Sequence, residues 1–204
     1  MKKNPQSLNE IFSTAHQNFK KKDFHTTEMI CNKILNIDPN HFGAIFLLAT
    51  VTAINKNFDK SKQLLRQAIK IDPYNVGAYN NLGNVEKQVK NFSEAINSYE
   101  KVIQIDPNHV NAHFNLGVLF HEMKEFRKAI SYFQKVIKIK PNYVTAYFNL
   151  GNTHVELKEL NKAISYYQKA IEIKPDYVGA YNNLGLTFRG VNDFKNAIRC
   201  YQKA

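Results

Sequence analysis

The chain has 204 residues, of which 44% are hydrophobic and 22% are charged, and its formal net charge is +11. No apolar run approaches the roughly 18 residues of a transmembrane helix, and no hydrophobic segment follows the N-terminal lysines. We therefore expect neither a membrane-spanning helix nor a signal peptide. The excess of basic over acidic residues raises the question of nucleic-acid binding, and the answer depends on where the lysines lie in the fold.

Five prolines recur every 34 residues, at Pro39, Pro73, Pro107, Pro141 and Pro175. A fixed period of this size is typical of stacked repeats, in which each unit buries its apolar face against its neighbours. If each proline is position 32 of a repeat, residues 1–7 form a tail and residues 8–204 form one solenoid. The predicted repeats are 8–41, 42–75, 76–109, 110–143, 144–177 and the incomplete 178–204.

Each repeat is predicted to hold two antiparallel helices, helix A near positions 1–14 and helix B near positions 15–28. Position 7 is leucine in five of the six repeats, and position 8 is always glycine or alanine. Position 20 is also small, whereas positions 17 and 24 are mostly aromatic, and the spacings of three, four and seven are helical. We expect the small residues to let the two helices approach and the aromatic residues to fill the remaining gap.

The prolines are expected to end helix B, because proline lacks an amide donor and restricts the residue before it. The next residue is then the predicted N-cap of the following helix A, where asparagine and aspartate are favoured. These predicted caps are Asn40, Asn108, Asn142 and Asp176, and Tyr74 is a poor cap.

The segments AYNNLGNVEKQVKNFSEAINSYEKVIQIDP and AYFNLGNTHVELKELNKAISYYQKAIEIKP resemble the tetratricopeptide repeat (TPR) family. The match extends over nearly the whole chain and is looser in the first two repeats. The resemblance implies an all-α fold, a right-handed α-solenoid of antiparallel helix pairs, and a function in protein binding.

Lysines recur at positions 15 and 26. In TPR proteins position 15 lies in the turn between the helices and position 26 on the outer face of helix B, so the resemblance places most lysines on the convex side. We interpret them as a solvated face and expect no nucleic-acid partner, with binding to an anionic polymer as the alternative. The lysines are Lys22, Lys56, Lys90, Lys124 and Lys158 at position 15, and Lys33, Lys101, Lys135, Lys169 and Lys203 at position 26.

The inner face of helix A is the predicted binding groove, because position 6 is asparagine in four consecutive repeats. An asparagine side chain offers a carbonyl and an amide, which can pair with the backbone of an extended peptide. The ladder is similar to that of the TPR superhelix of O-GlcNAc transferase, which implies peptide recognition. Two alternatives stay open, namely hydrogen bonds that only connect neighbouring helices and duplication of one repeat. The predicted groove residues are Asn80, Asn81, Asn84, Asn111, Phe114, Asn115, Phe148, Asn149, Asn152, Asn182 and Asn183.

The function predicted from these features is a non-catalytic scaffold that binds an extended peptide or a partner helix in its groove. The positive and negative charges among the groove candidates nearly cancel, so a partner of neutral or mixed charge is expected. The basic candidates are Lys20, Lys87 and Arg189, and the acidic ones are Glu122, Glu156 and Asp176. The alternative is the substrate-recognition arm of a larger glycosyl- or sulfotransferase whose catalytic part is not in this chain. We found no convincing catalytic or metal-binding pattern and expect no cofactor.

The two cysteines, Cys31 and Cys200, occupy helix B positions that normally pack inward. We expect buried, reduced thiols, which favours a cytoplasmic location. The last repeat lacks a closing helix, so its apolar surface is expected to be covered by another chain, by self-association or by sequence missing from this chain.

Overall fold

A computed structural model describes residues 7–204. Twelve α-helices follow one another in this range, and no strand occurs within it. The residues form two compact units, one that ends at Asp106 and one that begins at Pro107. The first unit contains α1 (Leu8–Lys20), α2 (Phe24–Ile37), α3 (Phe42–Ile54), α4 (Phe58–Ile71), α5 (Val76–Gln88) and α6 (Phe92–Ile105). The second contains α7 (Val110–Glu122), α8 (Phe126–Ile139), α9 (Val144–Glu156), α10 (Leu160–Ile173), α11 (Val178–Gly190) and α12 (Phe194–Tyr201).

Within each unit, consecutive helices pack against each other, and each odd-numbered helix also contacts the next odd-numbered helix. This arrangement is an all-α solenoid of helix pairs, which confirms the fold class predicted from the sequence. The assignment of residues 8–204 to one continuous solenoid stays a prediction. None of the helices in the described part of the chain has both the length and the apolar character needed to cross a bilayer.

Helix B begins two residues later than predicted, at position 17. The residue at position 15 has a positive φ of 59–62° in all six repeats, as in Lys22 and Lys56. This left-handed conformation ends helix A. Position 16 then serves as the N-cap of helix B, and its side chain accepts a backbone hydrogen bond in Asp23, Asn57 and Asp193.

The predicted N-caps of helix A are wrong by one residue. The amide of His41 donates to the carbonyl of Asp38 at 3.2 Å, which closes a turn with Pro39 and Asn40 at its centre. Asparagine after proline is therefore a turn residue, and the cap is the residue that follows it. The caps of α3, α5, α7, α9 and α11 are His41, Asn75, His109, Tyr143 and Tyr177.

Glycines at position 8 lie directly against the aromatic ring at position 24. A Cβ atom on Gly151 would lie 2.4 Å from Cε1 of Tyr167, and one on Gly83 would lie 2.7 Å from the same atom of Tyr99. In the second repeat the smaller Leu65 is paired with an alanine in the same core cluster. The small and large residues of the sequence pattern therefore complement each other in the core.

Both cysteines are buried and free. Burial raises the pKa of Cys31 to about 12. The last helix leaves apolar side chains exposed, with 58% of Phe194, 56% of Ile198 and 40% of Tyr201 accessible. Self-association through this surface stays a prediction.

Candidate functional site

The predicted asparagine ladder lies at equivalent positions of successive A helices. In the second unit, α7 contacts α9 and α9 contacts α11, and these helices carry Asn115, Asn149 and Asn183. In the first unit the equivalent residue is Asn81 on α5. All four side chains are partly buried, so each asparagine is only partly accessible from outside the chain.

Internal hydrogen bonds engage part of the ladder. Asn183 Nδ2 donates to Asn152 Oδ1 of the neighbouring helix at 2.8 Å. Asn149 Nδ2 donates to the carbonyl of Thr145 in its own helix at 2.7 Å, and Asn81 Nδ2 lies 3.5 Å from Thr50 Oγ1. The ladder therefore makes contacts between and within helices, as one of the alternatives requires, while part of each side chain stays accessible.

Two other predicted groove residues accept hydrogen bonds from buried tyrosines. The hydroxyl of Tyr99 donates to Asn84 Oδ1 at 2.7 Å, and that of Tyr167 donates to Asn152 Oδ1 at 2.7 Å. Burial raises the pKa of Tyr167 to about 12, so this phenol is a donor at neutral pH. The core thus fixes the orientation of both asparagines.

The remaining predicted asparagines have different environments. Asn111 and Asn182 are exposed. Asn80 is partly buried, and its Oδ1 is a buried atom to which no described residue donates a hydrogen bond.

The two predicted phenylalanines are partly buried and pack on neighbouring aromatic rings. Phe114 lies 5.7 Å from Phe133 and 5.3 Å from Tyr143, measured between ring centroids. Phe148 lies 5.9 Å from Tyr167 and 5.1 Å from Tyr177. Much of their apolar surface is therefore used inside the repeat stack.

A cavity of about 530 Å³ opens in the second unit beside the ladder. Four helices contribute to its wall, which combines apolar side chains with amide, hydroxyl, imidazole and carboxylate groups. The lining residues are His121 from α7; Asn152, Val155 and Glu156 from α9; Leu160 and Tyr167 from α10; and Asn183, Leu186, Thr187 and Gly190 from α11.

Hydrogen bonds through Thr153 fix which ring nitrogen of His121 carries the proton when the imidazole is neutral. The hydroxyl of Thr153 donates its single proton to the carbonyl of Asn149 at 2.6 Å. His121 Nδ1 lies 3.0 Å from the same hydroxyl oxygen and must therefore be the donor in that pair. In the neutral imidazole, Nε2 is left as a hydrogen-bond acceptor.

The sequence prediction missed most of this cavity. It included Asn152 and Asn183 and named Glu156 among the charged candidates, but it omitted His121, Leu186 and Thr187. The omitted residues occupy positions 12, 9 and 10 of helix A, where residue types differ among repeats. The repeat period therefore locates these positions, but no single residue type recurs at them that would mark them as part of a binding site.

Buried polar residues also occur at position 11, where they form local pairs. Glu86 is 1% exposed and accepts from Arg66 Nη2 at 3.2 Å and from Asn91 Nδ2 at 3.1 Å. His154 Nδ1 lies 2.6 Å from Glu159 Oε2. Lys162 and His154 together lower the pKa of Glu159. In residues 7–204 no three histidine, cysteine, aspartate or glutamate side chains converge in a way that could hold a metal ion.

Comparison with protein families decides the relationship. A family model described as tetratricopeptide repeat matches residues 110–143 and 144–177, and a second model of the same description matches residues 43–75 and 178–204. A TPR repeat model also matches residues 83–124. The chain is a TPR protein. TPR proteins are typically non-catalytic scaffolds that bind protein or peptide partners.

Solved TPR structures resemble the chain over most of its length. MamA is 28% identical with a TM-score of 0.72, over 76% of this chain and 91% of MamA. PilF of Pseudomonas aeruginosa is 19% identical with a TM-score of 0.81, over 95% and 88% of the two chains. YrrB, described as a TPR protein with an unusual peptide-binding site, is 19% identical with a TM-score of 0.68, over 85% and 89%. No curated protein sequence gives a significant match.

Proposed function

We propose that this TPR protein is a non-catalytic scaffold that binds an extended peptide of a partner protein along α7, α9 and α11. The observation that carries this proposal is the asparagine ladder beside an open cavity of about 530 Å³ in the second unit. Both features lie on A helices that contact each other. A peptide that follows these helices meets an asparagine on each of them.

The chemistry of the ladder suits a peptide backbone. A backbone alternates N–H donors and C=O acceptors, and an asparagine amide can pair with both. After the internal bonds are counted, Asn152 Nδ2 remains as a donor and Asn183 Oδ1 as an acceptor, because no described residue pairs with either atom. These atoms read the main chain, so side-chain preference must come from the cavity. The peptide-binding site described for YrrB supports this reading of the shared fold.

The partner is expected to carry neutral or mixed charge. The cavity wall includes one carboxylate, Glu156, and no lysine or arginine. The lysines at position 15 are exposed and do not line the cavity. Two free, buried thiols also suit a reducing compartment, and we propose the cytoplasm.

Affinity capture followed by mass spectrometry tests the proposal. The ladder variant changes Asn81, Asn115, Asn149 and Asn183 to alanine. The control variant changes four exposed asparagines of B helices, Asn32, Asn36, Asn97 and Asn161, to alanine. We expect partners captured by the wild type to remain with the control variant and to be lost from the ladder variant.

Alanine has a higher helix propensity than asparagine, so both variants should keep their helical content, which circular dichroism measures. A loss of partners from a folded ladder variant then reflects lost recognition. Capture of the same proteins in unchanged amounts by all three chains would show that the ladder has only an internal role.

A further inference from the structure

The cavity of the second unit has a hydrogen-bonding character that selects among peptide side chains. We propose that it receives a cationic side chain, lysine or arginine, of the bound peptide, with Glu156 as the counter-charge. This inference rests on the proposed function, because it names the side chain that the same groove recognises.

Most of the polar donor groups in the cavity wall already make a hydrogen bond within the protein. The Tyr167 hydroxyl donates to Asn152, Asn183 Nδ2 donates to Asn152, and the Thr187 hydroxyl donates to the carbonyl of Asn183 at 2.7 Å. His121 Nδ1 donates to Thr153. Each of these groups directs a proton to an acceptor within the protein rather than to a ligand.

The atoms that remain are mainly acceptors. For a side chain these are the two carboxylate oxygens of Glu156 and, in the neutral imidazole, Nε2 of His121. The remaining N–H groups of Asn152 Nδ2 and Asn183 Nδ2 and the Asn183 Oδ1 atom are those that the proposed function assigns to the peptide main chain. An ammonium group has three donors and no acceptor, and a guanidinium group has five donors and no acceptor. A cationic side chain therefore matches the cavity, whereas a carboxylate would meet acceptors and a negative charge.

The apolar part of the wall suits the stem of the same side chains. Val155, Leu160 and Leu186 line the cavity, and Leu186 is 49% exposed. Lysine and arginine bury their methylene groups against such surfaces while the charged end reaches a polar partner. The cavity thus offers both an aliphatic wall and a charged end.

Glu156 is available for this role. It is exposed, and no described residue forms an ion pair or a hydrogen bond with it. Several other acidic residues of the chain do have basic partners, including Glu86, Glu125 and Glu172. Glu156 also ends α9, where a negative charge is unfavourable because of the helix dipole. A cationic ligand would offset that unfavourable charge.

Nuclear magnetic resonance of the full chain tests the inference with four small probes. They are the N-acetyl, N-methylamide derivatives of lysine, arginine, norleucine and glutamate. We expect the lysine and arginine probes to bind with millimolar affinity and to shift the backbone amide signals of Glu156, Leu186 and Thr187. Norleucine has a similar stem without the charge and is expected to bind at least fivefold more weakly. Glutamate should not bind, even though the net charge of +11 attracts it.

The Glu156→Gln variant should reduce lysine binding to the level of norleucine. Glu122→Gln is the matched control, because Glu122 holds the same position at the end of α7 and does not line the cavity. Removal of a negative charge from a helix C-terminus does not destabilise the helix, so both variants should stay folded. Equal binding of lysine and norleucine, no saturable binding, or unchanged binding by Glu156→Gln would overturn the inference.

The outcome is separable from that of the capture experiment. If partner capture depends on the ladder but lysine and norleucine bind equally, the peptide-binding function stands and the cationic preference fails. If capture is unchanged in the ladder variant but Glu156→Gln still weakens lysine binding, the cationic preference of the cavity stands and peptide binding by the asparagine ladder fails.

Discussion

Substitution of Gly151 by alanine tests the packing that joins each helix pair. A Cβ atom at this position would lie 2.4 Å from Cε1 and 2.6 Å from Cδ1 of Tyr167, where ordinary contacts are about 3.5–4.0 Å. The Tyr167 ring cannot easily move away. It is 1% exposed, it packs near Phe148, and its hydroxyl is bonded to Asn152.

The expected change in stability combines two opposing effects. Alanine in place of glycine within a helix stabilises by about 1 kcal/mol. Overpacking of a tight core costs about 1–3 kcal/mol, and the short distance places this site near the upper end. We therefore expect Gly151→Ala to lower the free energy of unfolding by about 2 kcal/mol.

The second repeat indicates how to relieve this clash, since it combines Ala49 with Leu65. In a chain with Tyr167→Leu, the Gly151→Ala change should retain its helix gain of about 1 kcal/mol without the clash. The two effects of the same substitution then differ by about 3 kcal/mol.

Urea unfolding of the wild type, both single variants and the double variant, followed by circular dichroism, measures this coupling. Gly179→Ala is the control, because its Cβ would lie 3.4 Å or more from any neighbouring side chain, and it should not destabilise. Additive effects of the two substitutions, within about 0.5 kcal/mol, would refute the packing argument.

Three further predictions concern the turns and the buried charges. Lys56 has a φ of 61°, so Lys56→Gly should raise stability by about 0.5–1 kcal/mol, and a lower thermal midpoint would contradict this expectation. Arg66→Ala leaves the buried Glu86 carboxylate with Asn91 as its remaining partner. Because Arg66 is itself 59% exposed, we expect a loss of about 1–2 kcal/mol in urea unfolding. Adding Glu86→Gln should recover part of this loss, so strictly additive losses would count against the pairing. Hydrogen bonds from the side chain and backbone of Asn196 lower the pKa of Asp193. The stability from this cap is therefore present above the unfolded pKa of 3.8 and is lost as the pH falls through the lower folded value. Between pH 6 and 2.5 the urea midpoint of the wild type should fall more than that of Asp193→Asn, and equal falls would exclude this role.

The sequence predicted the repeat and its packing because these depend on residue size at fixed spacing. The pairing of Gly151 with Tyr167 follows from that rule. The N-caps did not follow, because residue preference favours Asn40 whereas the turn around Pro39 places His41 at the helix start. His41 Nδ1 accepts the amide of Ala44 at 3.1 Å, a role that preference alone assigns to asparagine or aspartate.

The groove was predicted only in part for a different physical reason. Helical geometry indicates which positions face inward but not which atoms remain after internal hydrogen bonds form. Asn152 Oδ1, for example, already accepts two hydrogen bonds. His121 and Leu186 become visible as cavity residues only when neighbouring helices are packed together.

The tyrosine hydroxyls in the core also restrict which segments of the chain can be exchanged between repeats during evolution. Where position 24 is Tyr99 or Tyr167, position 9 of the same repeat is an asparagine that accepts the hydroxyl. Where it is Phe133, position 9 is Val118, which has no acceptor. Transfer of the helix that carries Tyr99 or Tyr167 into the repeat with Val118 would leave its hydroxyl without this partner, whereas transfer of a whole repeat keeps the pair together. The helix pair is therefore the unit that can be exchanged between any two of these repeats without loss of this bond.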